Sequence, residues 1–441
     1  MEKISGQLIL NALTDQFETF EKSLNGQSKS NAHQIRKNAF NHLVEHGFPH
    51  AKSEEYKFTN LTKALEKNFE LRTAQRSPSL SNKQISSVEI ENLDAHKIVF
   101  INGKYSETHS DKIDVTGLKI IPLNKALKDS PEKLEAIFST KADYESDPFI
   151  ALNTAFSQDG IFIEIEDNVI VARPIMLHFI GDCQQDELLY QIRNIVKAGK
   201  FSQCTIIEKF DNIGSTPSFT NAVVEIDVAE NAFLKYFKIE NDTDKAYHVS
   251  NIHASQAAKS TLTTNTYALN GAIVRNNLNI MLEDEGCEAY MNGLYLLDGK
   301  THVDNHTVVD HKKPNCYSNE LYKGIMDGSS RGVFNGKIFV RKDAQKTNAF
   351  QSNKNVLLTN KAIVNTKPQL EIWADDVKCS HGCTTGQLDM EALFYLQSRG
   401  IQKEKARGML LQAFANDVLE TVSIDAIKDY LKAIFVQRLK K

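Results

Sequence analysis

The apolar positions of the chain change period twice. Leu13, Phe17, Phe20 and Leu24 recur at helical spacing and predict an amphipathic helix over residues 5–25, stopped by Asn25 and Gly26. Ile35, Ala39 and Leu43 predict a second helix over 31–46, with Gly47 as its left-handed C-cap and Pro49 two residues on. Gly47 to Leu61 reads as a loop leading into another short helix. Residues 73–88 are polar and serine-rich with one proline, the composition of a linker. KIVFINGKYSE, from Lys97, predicts a hairpin about Asn102-Gly103. A helix is predicted over 131–139. Asp147 to Ile165 predicts a helix and then a strand, with Gly160 as the helix C-cap.

From about residue 161 to 381 helical periodicity gives way to short alternating runs. Val224, Ile226 and Val228 alternate with Glu225 and Asp227; Phe334, Ile338 and Val340 alternate with Lys337 and Arg341. Successive runs begin mostly about 10 to 16 residues apart, too many for one ordinary sandwich, and few tight hairpin dipeptides join them. A parallel β-helix with about two runs per coil accounts for both facts. After Gly386 helical spacing returns. A helix is predicted from Gln387 to Arg399, closed by Gly400. Ala406, Met409, Leu410, Ala413 and Phe414 mark a second. Ile424, Ile427, Leu431, Ile434, Phe435 and Leu439 mark a third, with Ser423 as N-cap. Such helices either cover an open end of the coils or offer a partner a docking surface. The expected organisation is a helical region and linker over 1–90, a mixed lead-in over 91–160, a β-helix core over 161–385 and a helical domain over 386–441.

Composition narrows the function. A chain of 441 residues with 41% hydrophobic and 24% charged residues is an ordinary globular protein. A net charge of −4 favours neither nucleic acid nor an anionic membrane as partner. No run of 18 apolar residues and no signal peptide is visible. Six scattered cysteines form no disulfide framework, so a reducing cytoplasm is the expected setting.

The candidate chemistry concentrates in Thr366 to Gly382, TKPQLEIWADDVKCSHG. Two alternating runs, Leu370-Ile372-Ala374 and Val377-Cys379-His381, read as strand with a slip at Asp375-Asp376. Period two places Cys379 and His381 on one side of the sheet. A thiolate beside an imidazole suits iron, zinc or copper(I), but two ligands do not close a tetrahedral shell. Cys383 lies beyond Gly382, where the strand is expected to end. Either other ligands come from elsewhere, or the pair is a buried Cys beside a hydrogen-bonded His, the commoner case.

Other patterns carry less. Gly293 to Thr301 imitates a phosphate loop but has five residues between its glycines where the motif has four, and those residues are bulky. His302, Asp304 and His306 alternate on one face, with Asp310 and His311 near; a polar outer face of a coil explains them better than a metal. Cys183, Cys204, Cys287 and Cys316 read as buried small hydrophobes. No nucleophile–base–carboxylate arrangement is recognisable.

The stretch Ala344 to Ile401, with TKPQLEIWADDVKCSHG and LFYLQSRGI, resembles the SufB/SufD family of iron–sulfur cluster assembly proteins, and its SufD branch more than its SufB branch. Gly47 to Leu61 and Asp147 to Ile165 also resemble it. The SufD branch is indicated by C-S-H-G and by AFQSNKNVLLTN, which lacks the cysteine SufB carries there. The resemblance implies a right-handed parallel β-helix core and a scaffold subunit rather than an enzyme. It implies pairing with SufB through the β-helices and docking of the SufC ATPase on the C-terminal helices, or a homodimer with a second SufD. It further implies a transient iron or iron–sulfur site between chains, to which this chain gives His381 with Cys379 adjacent, and a reduced flavin is conceivable in the complex. Cys383 departs from the small residue usual there. The rival expectations are a free-standing β-helix enzyme acting on polysaccharide, and a ligand-free structural partner subunit.

Overall fold

The computed structural model describes residues 5–23, 30–50, 52–69, 77–129, 134, 138–157 and 159–439. The chain enters through helices α1 (Gln7–Ser23) and α2 (Asn31–His46), then α3 (Leu61–Asn68) and α4 (Asn82–Ser86). The Ser30 hydroxyl caps α2, and Gly47 follows it at φ 75°. The linker expected over 73–88 carries α4, held by a reciprocal capping box between Ser81 and Gln84. β1 (His96–Ile101) and β2 (Lys104–Tyr105) form the expected hairpin, with Asn102 and Gly103 both at positive φ. β3 (Leu118–Pro122), α5 (Leu123–Asp129), α6 (Pro148–Phe156) and β4 (Ile161–Ile165) follow. The helix expected over 131–139 lies largely outside the described residues.

Fifteen further strands, β5 to β19, run from Ile175 to Gly386 and alternate between two sheets. One sheet has ten strands in the order β19-β17-β15-β13-β11-β9-β7-β5-β1-β2; the other has nine, β18-β16-β14-β12-β10-β8-β6-β4-β3. Neighbours from β4 onward pair in parallel, so each coil adds one rung to each sheet: a parallel β-helix. The parallel pairing reaches back to β1, which pairs with β5. Inward side chains stack rung on rung, as in the row Phe100, Phe179 and Phe210, whose rings stack at 4.6 and 5.0 Å.

Both helical regions lie along the sides of the coil stack. α1, α2 and α6 bury a phenylalanine cluster against Phe219 and Val249 of the nine-stranded sheet. α7 (Met390–Ser398), α8 (Lys403–Leu419) and α9 (Asp425–Leu439) fold back after the last strand. Leu411, Val418, Ile427, Leu431 and Phe435 pack on Ile207, Phe237, Leu294 and Ile325, outward residues of the ten-stranded sheet. The helices therefore do not close the end of the stack, contrary to one of the two roles expected for them. Ser423 is not the N-cap of α9; it lies two residues before Asp425 and accepts from Lys235 Nζ at 3.3 Å.

Three local expectations are corrected. The slip at Asp375-Asp376 is a corner: β18 (Ile363–Ile372) and β19 (Lys378–Gly386) belong to different sheets. The last strand continues through Gly382, so Cys383 is within it. Gly160 is not a helix cap. It follows Ser157, the C-cap of α6, and sits at φ 136° where a Cβ would lie 1.9 Å from the Arg193 carbonyl oxygen. Close backbone approach, not helix termination, requires glycine there.

A candidate metal centre at the open end of the β-helix

β18 and β19 are the outermost rungs, and no rung follows them. β19 pairs with β17 (Asn348–Leu357) in a register that sets Cys379 on Ala349, His381 on Gln351 and Cys383 on Asn353. Those three partners are buried and face the lumen. Cys379, His381 and Cys383 accordingly share the lumen side of the last rung. Because nothing stacks above them, His381 and Cys383 are exposed, while Cys379 is half-buried against the small core of Ile338, Val340, Ala344, Ala349 and Ala374. Burial pushes the Cys379 thiol up, and the Ala349 backbone N–H partly offsets this.

The row brings together the two ligands expected from sequence and adds a third. It does not close a shell. Alternate residues of one strand stand about 7 Å apart. Among the described residues, no group of three or more His, Cys, Asp or Glu side chains is arranged to hold a metal ion. The row is an edge of donors with no further ligand group beside it among the described residues.

The other candidates resolve into structure. His302, Asp304 and His306 do share the outer face of β14 (His302–His311), and they anchor the segment 53–59. Thr59 Oγ1 donates to Asp304 and lies 2.8 Å from His302 Nε2. His306 lies between Glu55 (3.2 Å) and Asp304 (3.0 Å). Burial would raise the Asp304 carboxyl, but the Arg275 guanidinium 2.7 Å away outweighs it and holds the group far below the carboxylate range. Lys337 and Lys367 extend the same strap by pairing with Glu55 and Glu54 at 2.6 Å each. His311 is on the opposite, lumen side, 2.9 Å from Ser318 Oγ. The phosphate-loop imitation is strand β13 (Glu288–Leu297) followed by a turn at Gly299; Gly293 leaves room for the Tyr322 ring, 2.2 Å from where a Cβ would stand.

Two features escaped the sequence. Cys287 and Cys316, each buried, stack on consecutive rungs and both donate to the Asp284 carbonyl, at 3.1 and 3.3 Å. α7 leaves Met390, Phe394 and Tyr395 exposed on one short helix.

Fold and site together define a parallel β-helix protein that presents soft and borderline metal donors at an uncapped end. The SufBD protein N-terminal region family matches residues 9–177, and the SUF system FeS cluster assembly SufBD core domain matches 179–414. The iron–sulfur cluster assembly protein SufD of Escherichia coli is 31% identical over 90% of both chains. An iron–sulfur cluster assembly SufBD family protein of Synechocystis is 30% identical, covering 87% of this chain and 86% of its own. The SufD of Bacillus subtilis is 23% identical, over 88% and 89%. This chain belongs to the SufB/SufD family of iron–sulfur cluster assembly proteins, on its SufD side.

Proposed function

We propose that this chain is the SufD-type subunit of a SufBCD-type scaffold and works in the cytoplasm. Its open end pairs with SufB, and His381, with Cys379 beside it, completes a site on which iron or a nascent cluster is held between the two chains. The cluster is cargo, not a resident cofactor. The chain itself carries no catalytic role; the SufC ATPase docks on the C-terminal helical domain. One observation supports this reading: the donor row Cys379-His381-Cys383 lies on the last rung, with no further rung beyond it, where another chain could supply the remaining ligands. Thiolates hold cluster iron firmly, and an imidazole ligand loosens and tunes that hold, which suits release. The exposed Met390, Phe394 and Tyr395 support the docking half of the reading.

The test is reconstitution of the complex from this chain, SufB and SufC under anaerobic conditions, with iron and sulfide measured after gel filtration. Iron loading that survives removal of both the Cys379 and His381 side chains would favour the ligand-free structural subunit instead.

A further inference from the structure

Directly beneath the open mouth, the lumen buries an amide and a carboxylate side by side. Glu320 of β15 (Tyr317–Met326) is 0% exposed and Gln351 of β17 is 3% exposed. They occupy paired positions on neighbouring rungs, and Gln351 Nε2 donates to Glu320 Oε2 at 2.7 Å. Oε1 of Gln351 is buried without a hydrogen-bond partner. Leaving a buried acceptor unpaired is destabilising, because its hydration is lost without replacement. The fold nonetheless makes room for this amide. Across the lumen stands Gly336, where a Cβ would come within 2.2 Å of Gln351 Nε2. The next position in the same stack is His381, the register partner of Gln351, about 4.8 Å away along the coil axis.

We infer that Gln351 is a positioning residue for His381. A carboxylate oxygen can only accept, so Glu320 takes the amide N–H and leaves the Gln351 carbonyl as an acceptor under the imidazole. One ring N–H of His381 donates to that carbonyl. The other ring nitrogen keeps its lone pair and is turned out of the open end, towards the chain that pairs there. A ligating imidazole is oriented in this manner by an acceptor on its second N–H, and losing that acceptor weakens metal binding by 10–100-fold. The consequence for iron rests on the function proposed above. The placement of the ring does not, because it is argued from the register of β17 and β19 and from the unpaired Gln351 carbonyl beneath it.

The experiment uses the full chain with ¹⁵N-labelled histidine at pH 8, above the value of about 7 to which burial pushes the Glu320 carboxyl. Long-range ¹⁵N–¹H correlation spectra report which ring nitrogen carries the proton. The His381 signals are assigned by their loss in His381→Ala. The wild type is expected to show one tautomer for His381, with a slowly exchanging ring N–H, and Gln351→Leu is expected to show averaged tautomers and fast exchange. Should the single variant fail to fold, the double variant Glu320→Leu/Gln351→Leu removes both polar partners and gives the same readout. A His381 signature unchanged by these substitutions would overturn the inference. Iron content of the complex built with His381→Ala tests the ligand reading separately: normal loading there would remove that reading and leave the ring's positioning as measured.

Discussion

Arg193 Nη2 lies 2.6 Å from Glu225 Oε1, and neither side chain has any solvent exposure. The two belong to neighbouring rungs on the outer face of the nine-stranded sheet. Glu225 also accepts the backbone N–H groups of Ser139, Lys141 and Ala142, and Arg193 also donates to Asn153 and Thr154. One ion pair thus pins the lead-in and α6 to the coil stack.

Truncating one member should be costly. Arg193→Met leaves a buried carboxylate short of its cation, which typically costs about 3–5 kcal/mol. Chemical denaturation should show that loss. A change under about 1 kcal/mol would mean that the three backbone donors alone satisfy Glu225.

His381→Ala removes an exposed side chain from an edge strand, so the fold and the complex should persist, with stability moved by less than about 0.5 kcal/mol. Iron and sulfide content of the reconstituted complex should fall severely. Cys379→Ala should hurt less, since SufB is expected to bring a thiolate of its own. A complex that falls apart on His381→Ala would make the residue an interface contact and not a ligand.

The C-terminal helices need a gentler test than truncation. Removing residues 387–441 would uncover Ile207, Phe237 and Leu294 and confound docking with folding. Phe394→Asp changes a residue that is 73% exposed. Binding of SufC, read by calorimetry, should drop at least tenfold while the melting temperature stays put. Unaltered binding would move the docking surface elsewhere.

His311 predicts the direction of acid sensitivity. Burial holds its pKa down at about 4 in the folded chain, against about 6.5 unfolded. Between those values the unfolded chain binds the extra proton. The contribution is therefore complete above about pH 6.5 and is lost as pH falls towards 4, at most about 3 kcal/mol. His311→Gln should flatten the stability–pH curve across that window; an equally steep curve would assign the loss to other groups.

Periodicity reveals local structure and hides stacking. The α2 boundaries, the hairpin at Asn102-Gly103 and the two runs per coil are legible because each depends on neighbours along the chain. The corner after β18 is not, because alternation resumes at Val377 as though the strand had only slipped. Gly382 looks like a strand end, yet a Cβ there would meet nothing within 4 Å; it is merely an outward position on an edge. Cys287 and Cys316 converge only once the rung register is known. The resting place of α8 and α9 is hidden for a different reason. Ile207, Phe237 and Ile325 point outward from strands whose inward positions also carry apolar and aromatic residues, such as Ile206, Tyr236 and Tyr322, so alternation does not separate the two faces. The pair Cys379-His381 is visible from period two, but what lies beneath it is not.

The strap from Glu54 to Thr59 has a consequence for the order of assembly. Its partners His302, Asp304, His306, Lys337 and Lys367 lie some 240 to 310 residues further along. During synthesis the strap leaves the ribosome long before its anchorage exists. At about 5–20 residues per second it waits roughly 15 seconds to a minute before the last rung it clasps has been made. The coils can stack one after another as they emerge, each on its predecessor. The strap can fasten only once those rungs exist, joining one of the earliest segments made to rungs beside the open end.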